Sequence, residues 1–199
     1  MELMTERIIR EAINLLNEKG MKYFSMREIA KKLNIKASSL YYHVRNKREI
    51  YSLLSEHVCG KLNIPPEIPA GPEEAENFLL ESGKKLRTEL LKIRDSAIIF
   101  GETVPNTPKH LDFTKGTVEA FSRLGLNEAY CFFAANTFIN YVLFFLMDEA
   151  YFKSIPRGKP KYPGTEFYKK YVTGMDYDRQ FLFGLEALIE GIRRKARGS

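Results

Sequence analysis

The chain has 199 residues, of which 44% are hydrophobic, 28% charged and 13% aromatic. These proportions are ordinary for globular proteins and exclude a disordered or collagen-like chain. Two cysteines, Cys59 and Cys131, cannot build a disulfide framework, and the first residues lack the apolar run of a signal peptide. We therefore expect a globular cytoplasmic protein of one or two domains.

The formal net charge of +6 lies almost entirely in the first quarter of the chain. Residues 1–50 carry 11 Lys or Arg and 6 Asp or Glu, whereas residues 51–199 carry 20 and 19. Between residues 20 and 50 the excess is +6. Such a concentrated basic patch predicts a polyanion as a partner, although a solvated basic face would explain the same charge.

The sequence predicts two helices before residue 35. The first, over about 4–19, has apolar residues at helical spacing and ends at Gly20. Ser25 followed by Glu28 forms a capping box, which starts a short second helix that ends near Leu33.

A third predicted helix, residues 37–43, is only two turns long. Its Leu40 and the following Val44 can pack inward, while small residues and aromatics face outward. Asn46 followed by Glu49 repeats the capping signal and starts a fourth helix. Two short helices joined by a tight turn, the second exposing small polar residues in a basic patch, are typical of a helix-turn-helix.

The outward face of the third helix carries residue types that contact DNA. The N-terminal residues of such a helix approach base edges in the major groove, where small side chains allow close contact. Aromatic, imidazole and ammonium groups just beyond suit phosphate oxygens. Half-buried packing of one tyrosine is the alternative. The base-reading candidates are Ala37, Ser38 and Ser39, and the phosphate-binding candidates are Tyr41, Tyr42, His43 and Lys47.

The segments Ser25–Ile35 and Ser39–Lys47 resemble the signature of the tetracycline repressor (TetR) family of bacterial regulators. The resemblance implies an all-α homodimer that binds a palindromic DNA operator. Each subunit would have a three-helix head, a connecting helix, and a helical domain that binds a small inducer and dimerises. By position in the motif, Arg27 joins the base-reading candidates. We place the DNA-binding domain at residues 1–48 and the ligand-binding and dimerisation domain at 49–199.

A proline-rich segment, residues 63–72, separates the head and its connecting helix from the body. Residues 129–147 then form a segment without a charged side chain. Such a helix is buried in a core or a subunit interface, with a membrane span as the disfavoured alternative. Other helices are predicted at about 73–92, 94–101, 110–123 and 177–196.

The last predicted helix supplies a partner for the uncharged one. Gly184 and Gly191, seven residues apart, allow close approach between helices. We expect the helices at about 127–150 and 177–196 to form a four-helix bundle across a two-fold axis. The apolar stripe that would pack there is Phe181, Leu185, Leu188 and Ile192.

Arg94–Ala97 and Phe181–Gly191 resemble segments of the family's ligand-binding domain. In tetracycline-binding members a histidine ligates the drug-bound magnesium, and an ungapped match puts Phe100 at that position. Because phenylalanine cannot ligate a metal, the resemblance implies an apolar or aromatic inducer instead. Two further pocket positions of those members match Asn63 and Ser82.

Small-molecule pockets are mostly apolar with a few polar groups. Asn136 and Asn140 lie one turn apart on the uncharged helix, so they either contact a ligand or form interhelical hydrogen bonds that fix the dimer register. Phe138 and Tyr141 can face the same space, although each also suits a plain core. A loop between residues 152 and 174 would be a solvated connection or a cover for the pocket mouth.

No catalytic nucleophile motif, phosphate-binding loop or cysteine pair occurs in the sequence, and its three histidines lack the spacing of a metal site. We therefore expect no enzyme, metal or cofactor. The function predicted is a repressor released by a small inducer. The alternative is a DNA-binding regulator without a small ligand, either an activator or one gated by a protein partner.

Overall fold

The computed structural model describes residues 3–65, 67–68, 70–154, 166 and 174–197. Within these residues it is helical with no strand, which confirms the predicted all-α class. Most of the predicted loop between residues 152 and 174 lies outside the described residues. In chain order the helices are α1 (Met4–Lys19), α2 (Met26–Lys32), α3 (Ala37–Leu40), α4 (Lys47–Gly60), α5 (Pro72–Leu91), α6 (Ser96–Gly101), α7 (Pro108–Arg123), α8 (Glu128–Ser154) and α9 (Tyr177–Arg197).

Helices α1 to α3 and the start of α4 enclose the core of the head. Gly20 ends α1 with a φ of +74°, a backbone conformation that glycine adopts without steric cost, and its N–H donates to the Leu16 carbonyl at 2.8 Å. The apolar stripe predicted for α1 faces inward. Residues buried in this core are Ile8, Ala12, Leu15, Leu16, Ile29, Leu40, Val44 and Ile50.

Both predicted helix caps are present. Ser25 Oγ accepts from the Glu28 N–H at 3.2 Å, and Asn46 Oδ1 accepts from the Glu49 N–H at 3.0 Å. The third helix is shorter than predicted, because the chain tightens after Leu40 into i to i+3 hydrogen bonds, such as that from the His43 N–H to the Leu40 carbonyl at 2.9 Å.

Helix α8 lies at the centre of the body, where it contacts α5, α6, α7 and α9. Phe138 on α8 is fully buried and packs edge-to-face on Phe121 of α7, with ring centroids 6.2 Å apart. By length and composition alone α8 could cross a membrane, and 39% of its most apolar window is buried inside the protein. A core helix of a soluble protein has the same properties.

The stripe predicted on the last helix divides between two faces. Phe181 and Leu185 are buried, together with Ile189, whereas Leu188 and Ile192 remain partly exposed. The inner residues face α5 and α8 of the same chain. Leu188 and Ile192 therefore remain available for another contact.

A charge cluster joins α5, α8 and α9. Arg87 donates from Nε and Nη2 to Glu149 Oε2 at 3.1 and 2.9 Å, and from Nη1 to Asp178 Oδ1 at 2.7 Å. Lys153 Nζ donates to Glu149 Oε1 at 2.6 Å. Only 1% of the Glu149 side chain is exposed, so its charge depends on these partners.

We predict that Glu149→Ala lowers the free energy of unfolding by about 3 kcal/mol, because it leaves the Arg87 guanidinium buried without its main counter-charge. Urea denaturation measures the change. The matched control is Glu119→Ala, which removes the partner of Arg123 in an exposed i,i+4 pair and should cost about 0.5 kcal/mol or less. Equal losses in the two variants would contradict the prediction.

Candidate nucleic-acid interface and ligand cavity

The turn between α2 and α3 fixes the angle of the two helices. Asn34 has a φ of +55°, in the left-handed region that asparagine tolerates better than most residues. The Ile35 N–H donates to the Ala30 carbonyl at 3.0 Å and closes the turn. The helix-turn-helix predicted from the sequence is therefore present, with the start of α3 facing solvent.

Most of the candidate DNA-contacting side chains are exposed. Ser38 is exposed, whereas Ala37 and Ser39 are half-buried, and Ala37 packs against the head core. Tyr41 is 54% exposed and Tyr42 is 89% exposed, so neither is the half-buried packing residue that the sequence allowed. Arg27 on α2 and His43 beyond α3 are also exposed.

Lys47, the first residue of α4, rests on two aromatic rings. Its Nζ lies 5.6 Å from the centroid of the Phe24 ring and 5.3 Å from that of Tyr51, and these two rings are 5.6 Å apart. Cation–π attraction holds the ammonium at the edge of the head while the side chain stays half-exposed. Arg45 and Arg48 beside it are exposed, so the positive charge is concentrated there.

A cavity of about 130 Å³ lies between α6, α7 and α8, and we call it the α6–α8 cavity. The structure brings three of the candidate ligand residues to it, namely Phe100, Asn136 and Asn140. Phe100 is buried, whereas both asparagines are exposed at the rim. Its other lining residues include His110, Phe132 and Leu143.

The other four candidate ligand residues lie elsewhere. Phe138 packs in the core, and Tyr141 points toward α9, where its hydroxyl donates to the Phe181 carbonyl at 2.8 Å. Ser82 is buried on α5 but does not line the α6–α8 cavity. Asn63 is exposed beyond the end of α4, with a φ of +53°.

His110 is a cavity residue that sequence reasoning missed. The centroids of the His110 and Phe100 rings are 4.7 Å apart, and only 3% of His110 is exposed. Burial lowers the pKa of His110, so the imidazole is neutral at pH 7. His110, Phe113 and Thr117 follow the helical spacing i, i+3, i+7, and the last two are also buried. This periodicity in the sequence would have predicted His110 on the inner face of α7.

Hydrogen bonds join the head to the segment between α5 and α6. Asn17 Nδ2 donates to the Lys92 carbonyl at 3.2 Å, and the Arg94 N–H donates to Asn17 Oδ1 at 2.8 Å. The Met21 N–H donates to Asp95 Oδ2 at 2.7 Å. The start of α6 is thus attached to the end of α1.

A second set joins α4 to the wall of the cavity. Ser55 Oγ lies 3.0 Å from Thr103 Oγ1, within hydrogen-bonding distance. Glu56 Oε2 accepts from the N–H groups of Lys109 and His110 at 2.8 and 3.2 Å. The helix that starts beside the basic surface therefore also holds residues of the α6–α8 cavity.

An apolar groove of about 830 Å³ runs between α8 and α9, and we call it the α8–α9 groove. A Cβ added at Gly191 would meet nothing within 4 Å, so the backbone of α9 is open there, whereas one at Gly184 would collide with the Tyr141 hydroxyl. Lining residues include Leu126, Tyr130, Phe133, Thr137, Leu188 and Ile192.

Among the described residues, no group of three or more His, Cys, Asp or Glu side chains could hold a metal ion. The cavity polar groups are amide, hydroxyl and imidazole groups, which suit an organic ligand.

Comparisons with known proteins match nearly the whole chain. The family described as "Bacterial regulatory proteins, tetR family" matches residues 8–54, and "Tetracyclin repressor-like, C-terminal domain" matches residues 68–196. The class D tetracycline repressor of Escherichia coli is 27% identical over 195 residues, covering 95% of this chain and 88% of that protein. The class A repressor from transposon 1721 of Escherichia coli is 32% identical over 108 residues, covering 54% of this chain and only half of that protein.

A solved structure with the same fold is that of the Streptomyces coelicolor TetR family protein ActR in complex with actinorhodin. It aligns with a TM-score of 0.77 and 25% identity, covering 98% of this chain and 99% of that chain.

We predict that Lys47→Ala weakens binding to DNA of every sequence, because one phosphate contact is lost. The plot of the logarithm of the association constant against the logarithm of the salt concentration should become less steep by about one unit. Fluorescence anisotropy on duplexes of several sequences between 50 and 200 mM salt measures this. Lys61→Ala, which removes an equal charge just beyond α4, is the control and should leave the slope unchanged. An unchanged slope in Lys47→Ala would remove this residue from the phosphate contacts.

Proposed function

Because the chain belongs to the tetR family of bacterial regulatory proteins, we propose that it is a repressor that binds a palindromic operator as a homodimer and is released by a small, largely apolar or aromatic inducer. The chain is a DNA-binding transcriptional regulator and not an enzyme. The repressor role, the operator symmetry and the class of inducer are what we propose beyond the family.

One observation carries the proposal: α4 is part of the head core and also bonds to residues that line the α6–α8 cavity. Ile50 near its start is buried in the head, and its Ser55 and Glu56 bond to residues around the α6–α8 cavity. The Asn17 and Asp95 contacts attach the head to α6 at a second point. A ligand that shifts α6 or α7 would therefore move the head with them.

A dimer is supported by the α8–α9 groove. A two-fold contact uses the same patch on both subunits, so Leu188 and Phe133 of one chain can fill the groove of the other. The pairing would set two copies of α3 about 34–36 Å apart, one turn of B-DNA. Asn136 and Asn140 line the α6–α8 cavity rather than this groove, which favours their ligand role.

An aromatic inducer is supported by the wall of the cavity. Phe100, which the resemblance sets at the position of a metal ligand in tetracycline-binding members of the family, lines the cavity together with Phe132 and Leu143. Inducer binding switches the protein only to the extent that the ligand binds the two arrangements with different affinity. We expect the hydrogen bonds between α4 and the cavity wall to differ between the two arrangements, because they connect the cavity to the head.

Selection of oligonucleotides from a random pool at near-physiological salt tests the operator claim. We expect the enriched sequences to be palindromes whose half-sites are centred about 10 base pairs apart, because the two-fold axis of the dimer must coincide with that of the DNA. Enrichment of single half-sites, or no enrichment, would contradict a dimeric repressor.

The dimer interface is tested with Leu188→Glu. We expect this variant to sediment as a monomer and to lose at least about tenfold in operator affinity, because a carboxylate is placed in the apolar groove. Its control is Leu91→Glu, which changes an exposed leucine on α5 that is 47% accessible and outside the groove. A Leu188→Glu variant that stays dimeric would place the interface elsewhere.

A further inference from the structure

The start of α7 is capped by a side chain from another helix. Glu56 Oε2 of α4 accepts from the N–H groups of Lys109 and His110 at 2.8 and 3.2 Å. These are the second and third residues of α7, and N–H groups in the first turn of a helix have no partner within the helix. A carboxylate is favoured there because the N-terminal end of a helix carries partial positive charge. Glu56 therefore takes the role that the residue just before a helix usually has.

The residue just before α7 is itself of a capping type. Thr107 has an extended backbone, with a φ of −118° and a ψ of 153°, and Pro108 follows it as the first residue of the helix. A threonine in this position ordinarily accepts from the N–H of the second or third helical residue. Thr107 does not form that bond, and Lys109 and His110 donate to Glu56 instead.

The hydroxyl of Thr107 is left without a partner. Among the residues that the structure describes, no hydrogen bond reaches Thr107 Oγ1, although the atom is buried. An unpaired hydroxyl in the interior is unfavourable, because it has lost its hydrogen bonds to water. Ser25 and Asn46, by contrast, each accept from an N–H of the helix that follows them. Thr107 is thus a capping residue whose donors are taken by Glu56.

The two caps compete for the same N–H groups. A cap by Thr107 requires rotation of its side chain about the Cα–Cβ bond, because its backbone already has the extended conformation of a capping residue. Glu56 is half-buried, so water can hydrate its carboxylate once it has left α7. An exchange of caps therefore disconnects α4 from α7 without leaving the amides at the start of α7 unpaired.

We propose that Thr107 is a reserve cap for α7, which accepts from the N–H of Lys109 or His110 when Glu56 withdraws together with α4. The head can then move relative to the wall of the α6–α8 cavity without the cost of unpaired amides. Thr107 is a positioning residue in this respect, because it acts through α4 and not by contact with DNA. The inference goes beyond the proposed function, and its test uses neither DNA nor a ligand.

Amide hydrogen exchange at Lys109 and His110, followed by NMR on the full chain, tests the reserve cap. Glu56→Ala removes the first cap, and Glu56→Ala/Thr107→Val removes both. The two amides should exchange at least about fivefold faster in the double variant than in Glu56→Ala, the factor that loss of a helix cap typically costs. Because both proteins lack the Glu56 carboxylate, the effect of its charge cancels. Equal rates in the two would overturn the proposal.

Substitutions at Thr107 alone test whether the cap is held in reserve. Thr107→Val should leave both exchange rates close to those of the wild type, because Glu56 still caps α7. Faster exchange in this variant would mean that Thr107 already caps α7 in the wild type, and it would overturn the proposal. Glu56→Ala/Thr107→Ser should keep the rates of Glu56→Ala, because serine supplies the same hydroxyl. A crystal structure of Glu56→Ala should show Thr107 Oγ1 bonded to the N–H of Lys109 or His110, and an unpaired Oγ1 would contradict the proposal.

The matched control is Thr117→Val, which removes another threonine hydroxyl from α7. Thr117 is buried, and its Oγ1 donates to the Phe113 carbonyl farther along the helix. Added to Glu56→Ala, it should leave the exchange of the two amides unchanged, and an increase as large as that from Thr107→Val would overturn the proposal. Glu56→Asp allows the same comparison in a protein that retains the charge, since its side chain is one methylene shorter.

Amide exchange on the free chain separates this inference from the proposed function, which the selection of oligonucleotides tests. A chain that enriches no operator but exchanges faster in the double variant contradicts the proposed function and supports the reserve cap. A chain that enriches a palindrome but shows no difference between Glu56→Ala and the double variant supports the repressor and overturns the reserve cap.

Discussion

The double attachment of α4 is the constraint on which the rest of this structure depends. Ile50 is fixed in the head core, and Val58 is buried eight residues later in the body. A helix transmits displacement well because its backbone is hydrogen-bonded throughout. The head therefore cannot turn without a change at the contacts of Ser55 and Glu56, which bond to the cavity wall.

A cluster of two buried charges and one exposed charge joins three helices of the body. Arg87, Glu149 and Asp178 tie α5, α8 and α9 into one unit, and the Arg87 guanidinium also lies 5.0 Å from the centroid of the Phe181 ring. Helices α8 and α9 carry the α8–α9 groove, and α8 also supplies half of the residues that line the α6–α8 cavity, the rest coming from α6, α7 and the segment between them. The groove and the cavity therefore share α8, and the remaining cavity wall is bonded to α4 through Thr103 and the start of α7.

The sequence predicted the helices well, because the residues that signal each end of a helix lie within about one turn of that end in the chain. Ser25 and Asn46 cap their helices as predicted, and Gly20 ends α1. The α6–α8 cavity was predicted less completely, because its wall combines α6, α7 and α8, and their relative rotation is set by packing. Phe138 and Asn140 lie two residues apart on α8, yet one is in the core and the other is at the rim.

The energy of switching restricts any inducer of this protein. Moving a two-state equilibrium from 1:99 to 99:1 uses about 5.5 kcal/mol of difference in binding free energy between the two states. At a ceiling of about 1.5 kcal/mol per non-hydrogen atom, a small ligand must make much of its binding energy in one arrangement only. Glu56 of α4 holds the start of α7, so a ligand that displaces α7 acts directly on the helix that enters the head.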